Sequence, residues 1–330
     1  MEVNVSHTLL SYPLLFSFDF FLKLFMEKEK IVNDILAGVS EKLRDLDVEK
    51  ISVVNSIKNN GISLTGLSVK IKNKVIAPCI YLDNYINDLY RAPDHDLYSV
   101  VEDIDRALRM ALNNIEDEEP DLTFDLNKAK KRVIIRLINY EMNKELLKDA
   151  IYIRFLDLAI TFRWLVEISG NKGDILVTKK LGAPWGISIE ELYEIALKNT
   201  FRYSTTVITK LDSFISSLCL NGSNQTSGNE CSNDLNPALL LTNCDGFYGA
   251  VTLLNDKVLE DAYNRIGEDY YIIPSSVNEL IAVPGTFVED EEEVKQLIKR
   301  VNEEVVPNGQ ILSNSLYYYC HNEKQVSLKM

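Results

Sequence analysis

Asp269-Tyr270-Tyr271-Ile272-Ile273-Pro274-Ser275-Ser276-Val277-Asn278-Glu279-Leu280-Ile281-Ala282-Val283-Pro284 is the stretch on which the reading of this chain turns. Two apolar runs, Tyr270–Ile273 and Leu280–Val283, flank a polar Pro-Ser-Ser turn, a pattern that predicts two strands folded back on each other. Neither run alternates, so both faces are expected to be buried, which places the pair inside a sheet rather than at its edge. The turn would then present Ser275, Ser276, Asn278 and Glu279 together at one end of that sheet. These four are candidate ligand-site residues.

Upstream, residues 27–46 carry Val32, Ile35, Leu36, Val39, Leu43 and Leu46 at helical spacing. Ile51–Ile57 and Ile62–Ile71 enclose Asn59-Asn60-Gly61, a hairpin signal, because Asn-Gly tolerates positive φ at both turn positions. Val75–Leu82 is expected to add a third strand, with Cys79 as a small core residue. Helices are expected at Asp83–Tyr90 and Leu97–Leu112. The acidic break Asn113–Pro120 then separates an N-terminal lobe at 26–115 from a C-terminal lobe at 121–330.

In the second lobe Arg132–Asn139 reads as a strand and Glu141–Lys148 as a short helix. Ile151–Val166 reads as a long strand that turns at 169–173 into Asp174–Thr178. Ser188-Ile189-Glu190-Glu191 is a capping box that opens a helix. Thr206–Leu218 is read as a helix, Leu220–Asn236 as a mobile loop rich in Asn, Ser and Gly, and Leu239–Asn243 as a strand. A helix over Val258–Ile266 should end at Gly267. Glu289–Val305 is read as a helix with a buried stripe of Val294, Leu297, Ile298, Val301 and Val305, and Leu316–His321 as the last strand. The fold class is α+β: antiparallel meander and hairpin sheets with helices packed against them.

Composition narrows the function. The 330 residues are 46% hydrophobic and 25% charged, an ordinary globular balance, and 35 basic against 49 acidic residues give a net charge of -14. That charge argues against nucleic acid and against docking on an anionic membrane. The five cysteines form no Cys-x-x-Cys pair and the three histidines are scattered, so no metal site is expected, and the chain reads as cytoplasmic. Phosphate-loop and Gly-x-Gly-x-x-Gly patterns are absent, and no cofactor is expected. Thr8–Phe25 is apolar but interrupted by Asp19 and Lys23, short of a clean membrane span. Residues 1–25 read as an extension, or a start assigned too early, with Met26 the natural beginning of the domain.

A set of stretches carries a resemblance: Lys58-Asn59-Asn60-Gly61 with Leu64-Thr65-Gly66-Leu67, Ala77-Pro78 with Tyr81-Leu82, and Arg136-Leu137-Ile138-Asn139-Tyr140 with Asn143. Leu156-Asp157-Leu158-Ala159, Trp185-Gly186-Ile187-Ser188, Leu241-Thr242-Asn243 with Tyr248-Gly249-Ala250, and Ile273-Pro274-Ser275-Ser276 complete it. In that order the chain resembles an uncharacterised bacterial domain-of-unknown-function family of anaerobic Gram-positive gut bacteria. The resemblance implies a bacterial cytoplasmic setting and residues 1–25 outside the domain. In that family a His commonly follows the Pro-Ser-Ser-Val stretch, where this chain has Asn278, which counts against catalysis at the turn.

Serine nucleophiles need a base and an orienting group, and neither His95 nor His321 stands in a recognisable setting. The bland alternative is that Pro274 stops a strand while the serines hydrogen-bond their own turn. Asn139, at the end of a predicted strand, is a further candidate, as is Asp157, a single carboxylate in an apolar strand. Such a group must be paired or hydrogen-bonded, or it stays protonated; Arg136, Arg154 or Arg163 could pair with it. The reading that follows is a non-enzymatic binding or interaction protein with an unknown protein or small-molecule partner. A hydrolase-like enzyme centred on residues 274–279 is the alternative.

Overall fold

The computed structural model describes residues 14–74, 76–91, 96–113, 125–168, 171–212 and 237–329. Residues 1–13, most of the acidic break and the 220–236 loop lie outside the described residues. The fold is α+β, with antiparallel sheets and helices. The chain divides into two compact units, the first ending at Pro120 and the second taking the remainder together with Ile57–Ile62.

In the first unit α1 runs as one helix from Leu14 to Lys42, beginning earlier than its amphipathic stretch suggested. The segment contains no Pro, and its only Gly is Gly38, so nothing in it breaks the helix. Gly38 allows a close approach to α3 (Leu97–Asn113): a Cβ there would lie 2.8 Å from Val101 Cγ2. The strands β1 (Val48–Ile57), β2 (Ser63–Ile71) and β3 (Cys79–Tyr81) form a three-stranded sheet in that order. The third strand is shorter than expected, because Pro78 has no N–H to donate to a ladder. Cys79 is exposed rather than buried in the core: it starts an edge strand, with its Sγ packed over Gly66. α1, β2, α2 (Asp83–Arg91) and α3 share one core that includes Ile35, Val39, Leu67, Val69, Ile104 and Leu108.

The second unit holds two sheets. In the larger the order is β13-β12-β10-β11-β9-β8. Its members are β8 (Thr206–Lys210), β9 (Leu239–Asn243), β10 (Tyr270–Ile273), β11 (Leu280–Pro284), β12 (Leu316–Cys320) and β13 (Gln325–Lys329). The apolar hairpin therefore occupies the middle, with Ile272 opposite Ala282 on one side and Tyr317 on the other. The segment from Thr206, read as a helix, is an edge strand as far as Lys210, and residues 213–218 lie outside the described residues. Its β-branched run Thr206-Val207-Ile208-Thr209 loses rotamer freedom in a helix and suits a pleated surface.

The smaller sheet centres on β6 (Leu158–Ile168). It pairs with β4 (Val133–Asn139) along one edge, and with β5 (Tyr152–Phe155) and β7 (Asn171–Leu176) along the other. The apolar run from Ile151 is thus two strands, not one, joined by the two-residue loop Leu156-Asp157, where Leu156 takes φ 53°. Arg132 ends helix α4 (Leu126–Arg132) rather than starting β4.

A single core joins one face of each sheet. Val133, Ile135, Leu137, Phe162 and Trp164 come from one; Leu241, Tyr270, Ile272, Ala282 and Tyr317 come from the other. Three further helices follow α4: α5 (Lys144–Leu147), α6 (Lys179–Gly182) and α7 (Ile189–Tyr203), the last opened as expected by Ser188 Oγ accepting from Glu191 N at 3.1 Å. α8 (Asp256–Ile266) ends at Gly267 with φ 88°. The opposite face of the larger sheet, with Tyr271 and Leu316, is covered by α9 (Glu291–Glu304). Here the expected stripe is only partly right. Ile298 and Asn302 are buried, whereas Leu297, Val301 and Val305 are exposed. The Asn302 amide donates to Ser313 O at 2.9 Å and Asn314 Oδ1 at 2.8 Å, and that polar anchor turns the helix away from its apolar positions.

The turn Ile57–Ile62 shows what the Asn-Gly pair was expected to show: Asn60 has φ 58° and Gly61 φ 71°. Asn60 is buried and exchanges amide bonds with Asn143 at 2.8 Å, while its Nδ2 donates to Asn308 O at 2.6 Å and Ile311 O at 2.7 Å. Asn60→Gly keeps the backbone conformation and the backbone N–H bond to Asn143 Oδ1 but loses the three side-chain bonds, and is expected to cost about 2–3 kcal/mol. Asn60→Ala adds left-handed strain of about 1 kcal/mol. Urea unfolding of both variants checks the order; an alanine variant as stable as the glycine variant would contradict it.

Candidate functional site

The turn between β10 and β11 is closed by its own side chains. Ser276 Oγ donates to Glu279 Oε1 at 2.8 Å and accepts from Asn278 N at 3.0 Å, and Ser275 Oγ reaches the same carboxylate oxygen at 3.3 Å. The backbone adds Ser276 N to Glu279 O at 3.2 Å and Val277 N to Gln310 O at 2.8 Å. Ser276 is buried. A hydroxyl so occupied is a turn element, and the one described histidine near this sheet does not serve it. His321 stacks on Tyr263 at 3.8 Å, and its backbone N–H donates to Asp269 Oδ1 at 3.0 Å. His95 lies outside the described residues.

Asn278 points elsewhere. Its Oδ1 accepts from Tyr248 N at 3.0 Å, and its carbonyl accepts from Thr242 Oγ1 at 2.8 Å. Gly249 makes this approach possible, since a Cβ there would stand 2.4 Å from both Asn278 O and Thr242 Oγ1. Tyr248, held at φ 57°, lays its ring against the Arg136 guanidinium, 3.2 Å from ring centre to Cζ.

Asp157 and Asn139 form a second group. Asp157 lies in the β5–β6 loop, and its carboxylate accepts from the hydroxyls of Ser313, Ser315 (3.0 Å) and Tyr317 (2.7 Å). Of the outcomes expected for it, hydrogen bonding is the one seen, and none of the three arginines in view pairs with it: Arg136 and Arg163 go to Asp174, and Arg154 donates to Leu156 O and lies over the Tyr140 ring. Burial, with Asp157 beside it, pushes the Tyr317 phenol well above its ordinary value. Asn139 donates to Leu312 O at 3.0 Å and accepts from Met142 N at 2.9 Å. The six candidates thus fall into two groups: Ser275, Ser276, Asn278 and Glu279 at the turn, and Asp157 with Asn139 at the 312–317 segment. Gln310, through Val277, links the turn to the chain leading into that segment.

The cluster that sequence reasoning did not assemble is Arg136, Arg163 and Asp174. Arg136 on β4 and Arg163 on β6 stand on the face of the smaller sheet opposite the core, and both bridge to Asp174 on β7, Arg163 Nη1 at 3.6 Å from Oδ1. Side-chain exposures are 14%, 16% and 10%, so all three are nearly buried charges. Burial pulls the Arg136 guanidinium down to about 10 against the opposing Asp174 charge, and lowers Arg163 for the same reason. The available signal was one lone cation in each of two apolar runs, Ile135-Arg136-Leu137 and Phe162-Arg163-Trp164. Among the described residues no group of three or more His, Cys, Asp or Glu could hold a metal, and no helix is long and apolar enough to cross a membrane.

The Asp157 network is expected to stabilise the unit. Tyr317→Phe removes a buried hydrogen bond to a carboxylate and should cost about 1.5–3 kcal/mol. Tyr318→Phe, whose hydroxyl lies 3.4 Å from Asp269, should stay within about 0.5 kcal/mol. Equal losses of stability in urea unfolding would refute this assignment.

A family described as being of unknown function, DUF5688, matches residues 28–321, which takes in elements of both units from α1 to β12. No curated protein and no solved structure matches the chain. With most of its length inside that match, the chain belongs to the family of unknown function DUF5688.

Proposed function

We propose that this protein is a non-enzymatic binding or interaction protein of the bacterial cytoplasm. The observation that supports it is the bonding of the turn. Ser275 and Ser276 both donate to Glu279, and Ser276 also accepts from Asn278, so the groups that would do hydrolytic chemistry are engaged with one another. An activated serine would instead face a base held by a third group. The cytoplasmic setting rests on a net charge of -14 and on cysteines without paired spacing.

The test is affinity capture of the tagged full chain from its own cells, with native mass spectrometry of the eluate. A stoichiometric protein or small molecule, reconstituted from purified components and indifferent to Ser276→Ala and Glu279→Ala, is the expected outcome. Turnover of a captured small molecule that disappears in both variants would overturn the reading in favour of an enzyme.

A further inference from the structure

We propose that Arg136 and Arg163 form the binding site for a small oxyanion, the carboxylate or phosphate group of a ligand. The first ground is charge. Two guanidinium groups share one carboxylate, Asp174, which leaves an excess of one positive charge among three nearly buried side chains. Buried charges are expensive unless paired, and the usual resolution for a cation is a second anion.

The second ground is hydrogen bonding. The Nε atoms of Arg136 and Arg163 are both buried without a partner, although arginine is ordinarily chosen for positions where all its donors can be used. The third is the aromatic cover. The Tyr248 ring lies against the Arg136 guanidinium, 3.2 Å from ring centre to Cζ, and a guanidinium held by an aromatic ring is suited to gripping an oxyanion with two parallel bonds. Tyr248 is itself positioned by Asn278, so the β10–β11 turn shapes this site without contributing chemistry to it. The acidic balance of the chain speaks against a nucleic-acid phosphate and for a small ligand.

The experiment is titration calorimetry of the full chain with inorganic phosphate and, separately, acetate, against chloride at matched ionic strength. Saturable binding of phosphate assigns the oxyanion to a phosphorylated ligand, and of acetate to a carboxylate ligand. Arg163→Gln leaves a balanced Arg136–Asp174 pair and should weaken binding by at least about tenfold, the loss of one charged hydrogen bond. Asp174→Asn removes the competing carboxylate and should tighten it. Binding no different from chloride, or Arg163→Gln binding as the wild type does, overturns the site. Should Arg163→Gln not fold, Asp174→Asn carries the test, and unchanged or weaker binding in it overturns the site equally. The site goes beyond the binding reading: a protein partner retained where no oxyanion binds would remove the site alone.

Discussion

Backbone that leaves a helix or a sheet must still pair its polar groups, because a buried carbonyl without a donor costs about as much as a lost hydrogen bond. The segment between α9 and β12 meets this demand with amides from other parts of the chain. Successive carbonyls from residue 308 to 313 accept from Asn60, Asn59, Val277, Asn60, Asn139 and Asn302 in turn. Five of those six bonds come from asparagine side chains, and one comes from the backbone of the β10–β11 turn. The turn, the Asn-Gly loop, the end of β4 and the last turn of α9 are all fixed by this one irregular strip.

That constraint explains the division of labour among polar residues. Asn139 and Asn302 are buried because they feed the strip, and Asn143 because it locks Asn60 in place. Asp157 is satisfied by the hydroxyls that follow, Ser313 and Ser315, and by Tyr317 of β12. Arg136 and Arg163 are different, since both bridge to the single carboxylate of Asp174 among the described residues.

Much of the scaffold was legible in the sequence. Continuous apolar runs placed β10 and β11 in a sheet interior, Asn60-Gly61 announced two positive-φ residues, and Ser188 announced a helix start. What escaped had a definite cause in each case. A β-branched run at 206–209 can also be written on a helical wheel, and only the pairing with β9 decides it. Leu156-Asp157 looks like strand interior, because nothing local shows that Leu156 takes a left-handed conformation. On α9 the apolar positions permit either of two faces, and the choice is made by Asn302, whose partners lie beyond the helix. β13 follows so soon after β12 that its polar alternation was not read as a strand. At the site the turn residues were visible as a cluster. The pairing of two arginines with Asp174 depends on the register of β6 against β7, which no single segment contains.

Residues 57–62 sit at the tip of a hairpin whose strands belong to the first unit, yet they count with the second. A gene fragment that begins at Asp125 would carry both sheets of the second unit but neither Asn59 nor Asn60. The carbonyls of Asn308, Gly309 and Ile311 would lose the side chains that answer them, and Asn143 would lose its partner. Dissection of this protein into independently expressed halves therefore has to respect spatial rather than linear order. A circularly permuted or spliced gene that retains the hairpin tip preserves the second unit, and a simple truncation does not.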